Sequence, residues 1–353
     1  MTTPKMTSRQ RVLAALTGGT PDRVPYMEVY IDEDFGRRML GLPPLLEPSP
    51  MSGEAPLTVD YFGGQSYSPI DLAQALSLDG FCMSIQPQIY FDVRVSDSQK
   101  FVAGGKIHHI SDLDQVHLPD PDDERIYEPA REFLERYHST NYAIGCFINL
   151  GSDPVILSMG WEAFSYAVYD EPALLGALFE IYTDWFSRAL KHICKLGFDF
   201  IWAGDDIAFK TGPMISPSLF RSLFMPYWRR VAAAIQLPWI FHTDGNFLPL
   251  LEDIVSLGMN ALHPIEPGAV DIGEVKRLLA GRAALVGNIE INTLSTGTPS
   301  EVEQLTRETI EKIAPGGGYI LSSSNSLTRS CQVNNVLSMV NACKKYGKYP
   351  IGV

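Results

Sequence analysis

The fold of this chain is decided at Pro238–Asn246, PWIFHTDGN, where an apolar strand runs out into polar residues. His242 and Asp244 end the strand two positions apart, so both side chains face the same way if the strand geometry persists. Gly245 then lets the chain turn sharply. A buried strand with this ending delivers two polar, potentially metal-binding groups to the rim of a sheet. Similar strand ends recur along the chain.

Eight apolar runs of strand length occur, and helical stretches fill the gaps from the third run onward. The runs are Pro25–Tyr30, Gly80–Ile85, Tyr142–Ile148, Phe198–Ala203, Pro238–His242, Asn260–His263, Ala283–Gly287 and Gly318–Ser322. This alternation predicts an α/β chain with a single closed parallel (βα)8 barrel, a TIM barrel, as one domain over residues 1–353. A doubly wound open sheet is the alternative. No Gly-x-Gly-x-x-Gly follows an early strand, which weakens a dinucleotide-binding version of it.

Two segments interrupt the barrel rhythm. Gly36–Ser66 is rich in Pro, Gly and Leu and is predicted to form an N-terminal elaboration or lid. Gln88–Ile110 alternates apolar and polar residues between turn residues, which predicts an inserted antiparallel β-hairpin or meander. Among the helices, Leu174–Leu196 is long and amphipathic, and Pro226 should kink or split the helix predicted at Leu219–Ile235.

Composition and charge narrow the function classes. The 353 residues carry a formal net charge of -13, which argues against binding nucleic acid through phosphate neutralisation. No run of about 18 apolar residues predicts a membrane span, and residues 1–10 lack an apolar signal core. The five cysteines form no Cys-x-x-Cys pair, so a disulfide framework or four-cysteine zinc site is not expected. We expect a soluble cytoplasmic protein, as a monomer or homodimer, with a small-molecule substrate.

Polar residues at the predicted strand ends form the candidate site, because a barrel places its active site there. The set is Glu28, Tyr30, Asn149, Asp153, Asp205, Asp206, His242, Asp244, His263, Glu266, Asn288, Glu290, Ser323, Ser324 and Asn325. Structural roles remain open for several of these residues. Asp205 or Asp206 could cap the following loop, His263 could be a core histidine, and Glu266 could pair with a rim Lys or Arg.

His242 and Asp244 carry the chemical prediction. Neutral imidazole and carboxylate can bind Zn²⁺, with a third ligand from another strand and an open position for substrate. The same pair could act as a carboxylate-tuned general acid or base without a metal. Their spacing alone does not separate these alternatives.

The later motifs resemble the uroporphyrinogen decarboxylase superfamily. They are Gly204-Asp205-Asp206, Ile215-Ser216-Pro217, Phe241–Asn246, Gly287-Asn288-Ile289-Glu290 and Gly316–Ser322, and Met6–Leu16 with Pro21–Pro25 resembles the usual start of the family. The resemblance implies a (βα)8 barrel. It also implies two branches, porphyrinogen decarboxylases that use no metal and methyltransferases that exchange methyl groups with a separate corrinoid protein.

The decarboxylase branch carries an N-terminal Arg-Gln-Ala-Gly-Arg segment that handles substrate carboxylates. The corresponding stretch here, Val29–Arg38, lacks that pattern and contains the acidic run Asp32-Glu33-Asp34, which would repel a multi-anionic porphyrinogen. In the thiol-methylating members of the other branch, a His-x-Cys pair and a later Cys hold zinc. This sequence keeps His242 but has Asp244 and Asn325 at the two sulfur positions, and these are harder ligands.

The resemblance therefore favours a methyltransferase that demethylates a methoxy or methylamine-type substrate and transfers the methyl group between that substrate and a corrinoid protein. It implies His242, Asp244, Asp206 and Glu266 as catalytic residues, with His242 and Asp244 as possible zinc ligands. The predicted substrate-binding residues are Glu28, Tyr30, Trp202, Asp205, His263, Asn288, Glu290 and Asn325. The alternatives are a metal-free decarboxylase acting on a small carboxylated or porphyrinogen-like compound, and a barrel that only binds a ligand.

Overall fold

The computed structural model describes residues 5–62, 66–96 and 99–351. Its strands are β1 Leu57–Tyr61, β2 Gly80–Pro87, β3 Phe91–Ser96, β4 Gln99–Gly105, β5 Ala143–Ile148, β6 Phe200–Gly204, β7 Ala208–Phe209, β8 Gly212–Pro213, β9 Trp239–Thr243, β10 Ala261–Pro264, β11 Ala284–Ile289 and β12 Tyr319–Ser323.

The helices alternate with these strands over most of the chain. They are α1 Ser8–Leu16, α2 Glu33–Met39, α3 Pro69–Leu76, α4 Glu128–Tyr137, α5 Ser152–Met159, α6 Trp161–Asp170, α7 Pro172–Ile193, α8 Pro217–Leu223, α9 Met225–Ala234, α10 Leu251–Val255, α11 Ile272–Leu279, α12 Ile291–Thr296, α13 Pro299–Ile313 and α14 Val333–Tyr346. Short 3-10 helices span Ile110–Gln115, Glu124–Tyr127 and Leu248–Leu250. Within the described residues, none of these helices is long and apolar enough to cross a membrane.

The central sheet has eight strands in the order β1-β2-β5-β6-β9-β10-β11-β12. All neighbours pair in parallel except β1 and β2, which are antiparallel. The fold is therefore α/β with a mostly parallel sheet, as in a TIM-barrel-like protein, and seven of the predicted runs are strands of this sheet.

The first predicted strand, Pro25–Tyr30, is wrong as a strand of the sheet. This segment makes only an isolated bridge from Tyr26 to Leu321 of β12, and the Tyr26 carbonyl accepts a hydrogen bond from the Asp79 amide next to β2. Pro25 has no N–H to donate, and the Asp79 carboxylate takes the Tyr26 amide. The eighth strand is instead β1, inside the segment predicted as a lid.

Two other segments singled out in the sequence have the following local structure. β3 and β4 pair as an antiparallel two-stranded sheet within the predicted insertion at Gln88–Ile110. The predicted helix around Pro226 is split into α8 and α9, and this proline lies in the first turn of α9. A proline is tolerated in the first turn because its missing N–H would have no partner there.

Strand alternation decides which residues reach the site. In β9, Trp239 and Phe241 pack into the large core between sheet and helices, whereas Ile240 belongs to a second core on the other face. His242 lies on the Ile240 face by the two-residue period. The second core also takes Trp202 of β6 and Ile320 of β12. The ends of the strands on this face carry the candidate site.

Candidate active site

Two histidines occupy the centre of the site because strand register places them side by side. His242 of β9 and His263 of β10 are register partners, and their Nδ1 atoms lie 2.7 Å apart. At that distance one ring donates a hydrogen bond to the other. His263 is fully buried against the edge of Trp202, and burial lowers its pKa well below the ordinary value, with His242 as a further cause. His263 is therefore neutral.

Three side chains next to this pair can converge on one cation. Ligand atoms of Asp206, His242 and Asp244 all lie within 4.8 Å of one another. The Asp206 Oδ1 atom is 3.8 Å from His242 Nε2 and accepts a hydrogen bond from the Asp244 amide at 3.0 Å. The sequence prediction named all three residues.

Asp244 is the most constrained of the three. Its Oδ2 accepts a hydrogen bond from the Asn325 amide, whereas its Oδ1 is buried and has no hydrogen-bond partner among the described residues. Burial is the main cause that raises the pKa of Asp244 to about 6 overall; His242 acts in the opposite direction, and the nearby Asp206 and Glu266 carboxylates contribute to the increase. A buried carboxylate oxygen without a donor is stabilised by a cation or a proton.

This donor set fits a divalent cation but not a thiolate-zinc site. One imidazole nitrogen and two carboxylates leave room for a substrate atom, as in catalytic zinc sites. The orphaned Oδ1 of Asp244 supplies the observation that favours a cation. Asn325, predicted at a sulfur position, instead donates to Asp244 and holds that carboxylate in place. The oxygen-rich set suits harder cations better than a thiolate set would.

Glu266 and Lys210 form the rim beside Asp244. The Oε2 atom of Glu266 accepts a hydrogen bond from the Gly245 amide at 3.2 Å, and its Oε1 lies 3.0 Å from Lys210 Nζ. Glu266 thus holds the turn that follows Asp244 and pairs with a rim lysine, as one of the sequence interpretations anticipated. Its predicted catalytic role remains a prediction.

A second group of acids supports the site from below. Asp205 has no exposed surface, and it accepts hydrogen bonds from Asn149 and from the Ser152 and Asp153 amides at the start of α5. Burial raises the pKa of Asp205 to about 6 against these hydrogen bonds. The Asp153 carboxylate accepts a hydrogen bond from the Asp206 amide. Asp205 therefore positions α5 and the Asp206 loop.

Several predicted substrate-binding residues are buried or hydrogen-bonded within the loops, and their role remains a prediction. Trp202, Asp205 and His263 have no exposed surface and Glu28 is only 3% exposed, so none of them lies open to a bound molecule in this conformation. The Asn288 amide donates to the Ile265 carbonyl at 2.7 Å, and Glu290 accepts from Thr293 at the start of α12. The strand-end pattern located these residues, but it could not separate side chains that face a substrate from those that hold the loops.

A cavity of about 620 Å³ lies between β1, the 45–52 loop and the start of β4. Tyr30 lines it, as predicted, together with Phe62, whose ring lies 5.0 Å from Tyr30. Phe62 stacks on Phe147 at 4.5 Å, and a side chain at Gly204 would meet both Phe147 and His242. A row of aromatic rings therefore leads from the cavity to the histidine.

Sequence reasoning missed Phe62, Phe147 and Ser322. Phe147 lies within the predicted third strand, and the two-residue period of that strand could have placed its ring on the same face as the polar strand ends. Phe62 follows β1, which was not predicted as a strand. Asp32 and Asp34, read as a repelling rim, both pair with Arg329. Arg329 therefore partly neutralises the negative charge of that segment, which weakens the argument that the segment repels anionic substrates.

Comparison with known proteins defines the class. The family model "Uroporphyrinogen decarboxylase (URO-D)" matches residues 154–346. Because this is more than half of the chain, the chain belongs to the uroporphyrinogen decarboxylase family, and the predicted resemblance is confirmed.

Particular relatives include both branches. A uroporphyrinogen decarboxylase of Coxiella burnetii is 24% identical over 186 residues, 51% of this chain and 49% of that protein. The methylcobamide:CoM methyltransferase MtaA of Methanosarcina barkeri is 26% identical over 153 residues, 43% of each chain. This chain thus spans about half the length of such curated relatives. A solved methyltransferase structure from Methanosarcina mazei matches with a TM-score of 0.73 and 18% identity, over 97% of this chain and 99% of that one, which supports the fold.

Proposed function

We propose that this protein is a methyltransferase that moves a methyl group from a small methylated oxygen or nitrogen compound to the corrinoid of a separate protein. The observation that carries the proposal is the Asp206–His242–Asp244 set, in which Asp244 stands at one of the two sulfur positions and Asp206 adds a second carboxylate, while Asn325 at the other sulfur position donates to Asp244. A thiolate methyl acceptor prefers soft zinc ligands, whereas an oxygen or nitrogen leaving group needs a cation or a proton donor. Methyltransferases among the relatives support the reaction class.

The reaction balances with one proton. The cobalt(I) electron pair attacks the methyl carbon, the carbon–oxygen or carbon–nitrogen bond breaks, and the leaving group takes its electron pair and a proton. Cobalt ends as methyl-cobalt(III). A divalent cation held by Asp206, His242 and Asp244 would stabilise charge on the leaving atom.

The residues of this chain provide space for the substrate and fix the orientation of Asp244. The 620 Å³ cavity lined by Tyr30 and Phe62 offers space and apolar surface for a small methylated compound, and Phe147 connects Phe62 to the surroundings of His242. Asn325 and Asp206 orient Asp244 through its side chain and backbone. Fixed positions of these groups lower the entropic part of the barrier.

The acid-rich site disfavours the decarboxylase alternative. Asp206, Asp244 and Glu266 lie close together, and Lys210 pairs with Glu266 rather than standing over the histidine. A carboxylate substrate at His242 would meet repulsion unless a cation screens it. Carbon dioxide release remains the readout that separates the two reactions.

The test uses free cob(I)alamin as acceptor and a panel of methoxyaromatic compounds and methylamines, with Zn²⁺ or Mn²⁺ added. We expect growth of the methylcobalamin spectrum with at least one donor class, and a decrease of at least about 10³-fold in His242→Ala. His108→Ala, which changes an exposed histidine, is the matched control and should keep full activity. Carbon dioxide release from small acids without any methyl transfer would overturn the proposal.

A further inference from the structure

A buried chain of hydrogen bonds runs from Glu28 to His242. The Ser322 hydroxyl donates to Glu28 Oε2 at 3.1 Å, and the Ser323 amide and hydroxyl donate to the same carboxylate at 3.0 and 2.6 Å. Ser322 Oγ also lies 3.5 Å from His263 Nε2. His263 Nδ1 then lies 2.7 Å from His242 Nδ1. Ser322 and His263 thus connect the buried Glu28 carboxylate to His242 at the centre of the site.

The direction of each hydrogen bond in the series Glu28–Ser322–His263–His242 follows from the Glu28 carboxylate. Burial raises the pKa of Glu28 to about 7, so above that pH the carboxylate is ionised and can only accept, and the single Ser322 proton points to Glu28. Ser322 Oγ can then only accept from His263, which places the proton of the neutral His263 ring on Nε2. The Nδ1 atom of His263 is left with a lone pair, so the short contact requires a proton on Nδ1 of His242.

We propose that Glu28, Ser322 and His263 are positioning residues that fix His242 in the tautomer with its proton on Nδ1 and its Nε2 lone pair facing Asp206 and Asp244. A neutral imidazole binds a metal or accepts a proton only through an unprotonated nitrogen. In metal sites the partner of the other ring nitrogen sets which one is free. The chain here performs this function with a second histidine, a hydroxyl and a distant carboxylate.

Burial and strand register support this arrangement of hydrogen bonds, and Ser323 provides a control. Ser322 and Ser323 have no exposed surface and His263 has none, so water does not compete for these hydrogen bonds. Strand register holds the two rings side by side. Ser323 contacts the same carboxylate but makes no contact with His263, so the chain contains its own control residue.

The tautomer can be read directly by ¹⁵N–¹H correlation spectroscopy of ring nitrogens in histidine-labelled, metal-free full-length protein at pH 8.5. His242→Gln assigns the His242 signals. We expect wild type and Ser323→Ala to show the proton of His242 on Nδ1. Ser322→Ala should move His242 toward the Nε2–H form, because His263 loses the acceptor that fixes its own tautomer.

Two further variants separate positioning from packing. His263→Asn can place an amide oxygen where His263 Nδ1 lies, so it should retain the Nδ1–H form of His242, whereas His263→Leu should not. The Zn²⁺ affinity, measured against a chromophoric chelator, should fall about tenfold in Ser322→Ala and stay near wild type in Ser323→Ala. Wild-type His242 with its proton on Nε2, or equal behaviour of both serine variants, would overturn the inference.

This inference deepens the proposed function, since it concerns the same histidine. Its readouts require no turnover. A protein that shows the expected tautomer pattern but transfers no methyl group would refute the proposed reaction and leave the positioning chain intact.

Discussion

Two groups of charged residues, one buried around Asp79 and one partly exposed around Asp244, differ in how their acids are balanced. Asp79 has no exposed surface and accepts hydrogen bonds from Arg11 at 2.6 Å, from Arg23 at 2.9 Å and from the Tyr26 amide. Asp244 lies among Asp206 and Glu266 with no arginine, and one of its oxygens has no partner among the described residues. The first group joins the N-terminal segment to the sheet. The second is left short of positive charge where the strands end, as a cation site requires.

The largest expected effect is the loss of the Asp79 group. Asp79→Ala removes the acid that the Arg11 and Arg23 guanidiniums share and leaves Arg11 with Asp22 alone, and we expect a loss of about 3–5 kcal/mol in the free energy of unfolding by urea titration. Asp122→Ala, which removes an exposed partner of Arg188, is the matched control and should change stability little. Equal losses in the two variants would show that the buried group is not special.

Glu28 extends the comparison, because its carboxylate has hydroxyl and amide partners only. Burial raises the pKa of Glu28 from 4.5 to about 7 in spite of hydrogen bonds from Ser323. A raised acid pKa stabilises the folded state below the unfolded value of 4.5, and this contribution is lost as pH rises through about 7.

The corresponding variant is Glu28→Gln. The free energy of unfolding of Glu28→Gln minus that of wild type should increase by about 3 kcal/mol between pH 4.5 and pH 8, because wild type loses stability over this range and the variant does not. Urea titrations at several pH values provide the measurement. A difference that stays constant over this range would mean that Glu28 titrates normally.

Asp244→Asn tests the acidic group itself. We expect Zn²⁺ affinity to fall by at least about 100-fold, because loss of a residue that only hydrogen-bonds a metal ligand already lowers affinity by up to about that factor. Stability should be unchanged or raised, because a like charge beside Asp206 is removed. Titration with a competing chelator measures the first effect and thermal unfolding the second. Asp170→Asn, at an exposed position, is the control, and equal affinities in both variants would exclude Asp244 as a ligand.

Lys210→Ala should have the smallest effect. Lys210 is 67% exposed and pairs with Glu266, so its removal takes one positive charge from the rim of the site. We expect Zn²⁺ affinity to rise about twofold at low ionic strength, and the difference to shrink in 0.5 M salt. A fall in affinity would instead assign Lys210 a structural part in holding Glu266.

Local patterns predicted the mostly parallel sheet, and they selected the residues of the candidate site, whose roles remain predictions. Each parallel strand was an apolar run with a polar end, and strand period placed His242 and Asp244 together. Long-range pairing was not predictable in the same way. The first predicted strand makes only an isolated bridge, from Tyr26 to Leu321, and β1, in which Leu57, Val59 and Tyr61 alternate with polar residues, lies in a segment that was interpreted as a lid. Both outcomes depend on neighbours distant in sequence.

The roles of single residues were also set by distant contacts. Glu28 looked like a rim residue, but Ser322 and Ser323 enclose it. Asn325 looked like a substituted ligand, but it holds Asp244. Strand position indicates that a side chain lies at the site, whereas burial and partners decide whether it faces the reaction or supports it.

The contacts of Glu28 also constrain the order of events during synthesis. Glu28 and Ser322 are 294 positions apart, and Tyr26 bridges to Leu321. A nascent chain carries the first of these groups for most of translation before its partners emerge from the ribosome. Contacts of such wide separation form late in folding because loop closure precedes them. The Glu28 carboxylate therefore lacks its serine partners until the last strand is made.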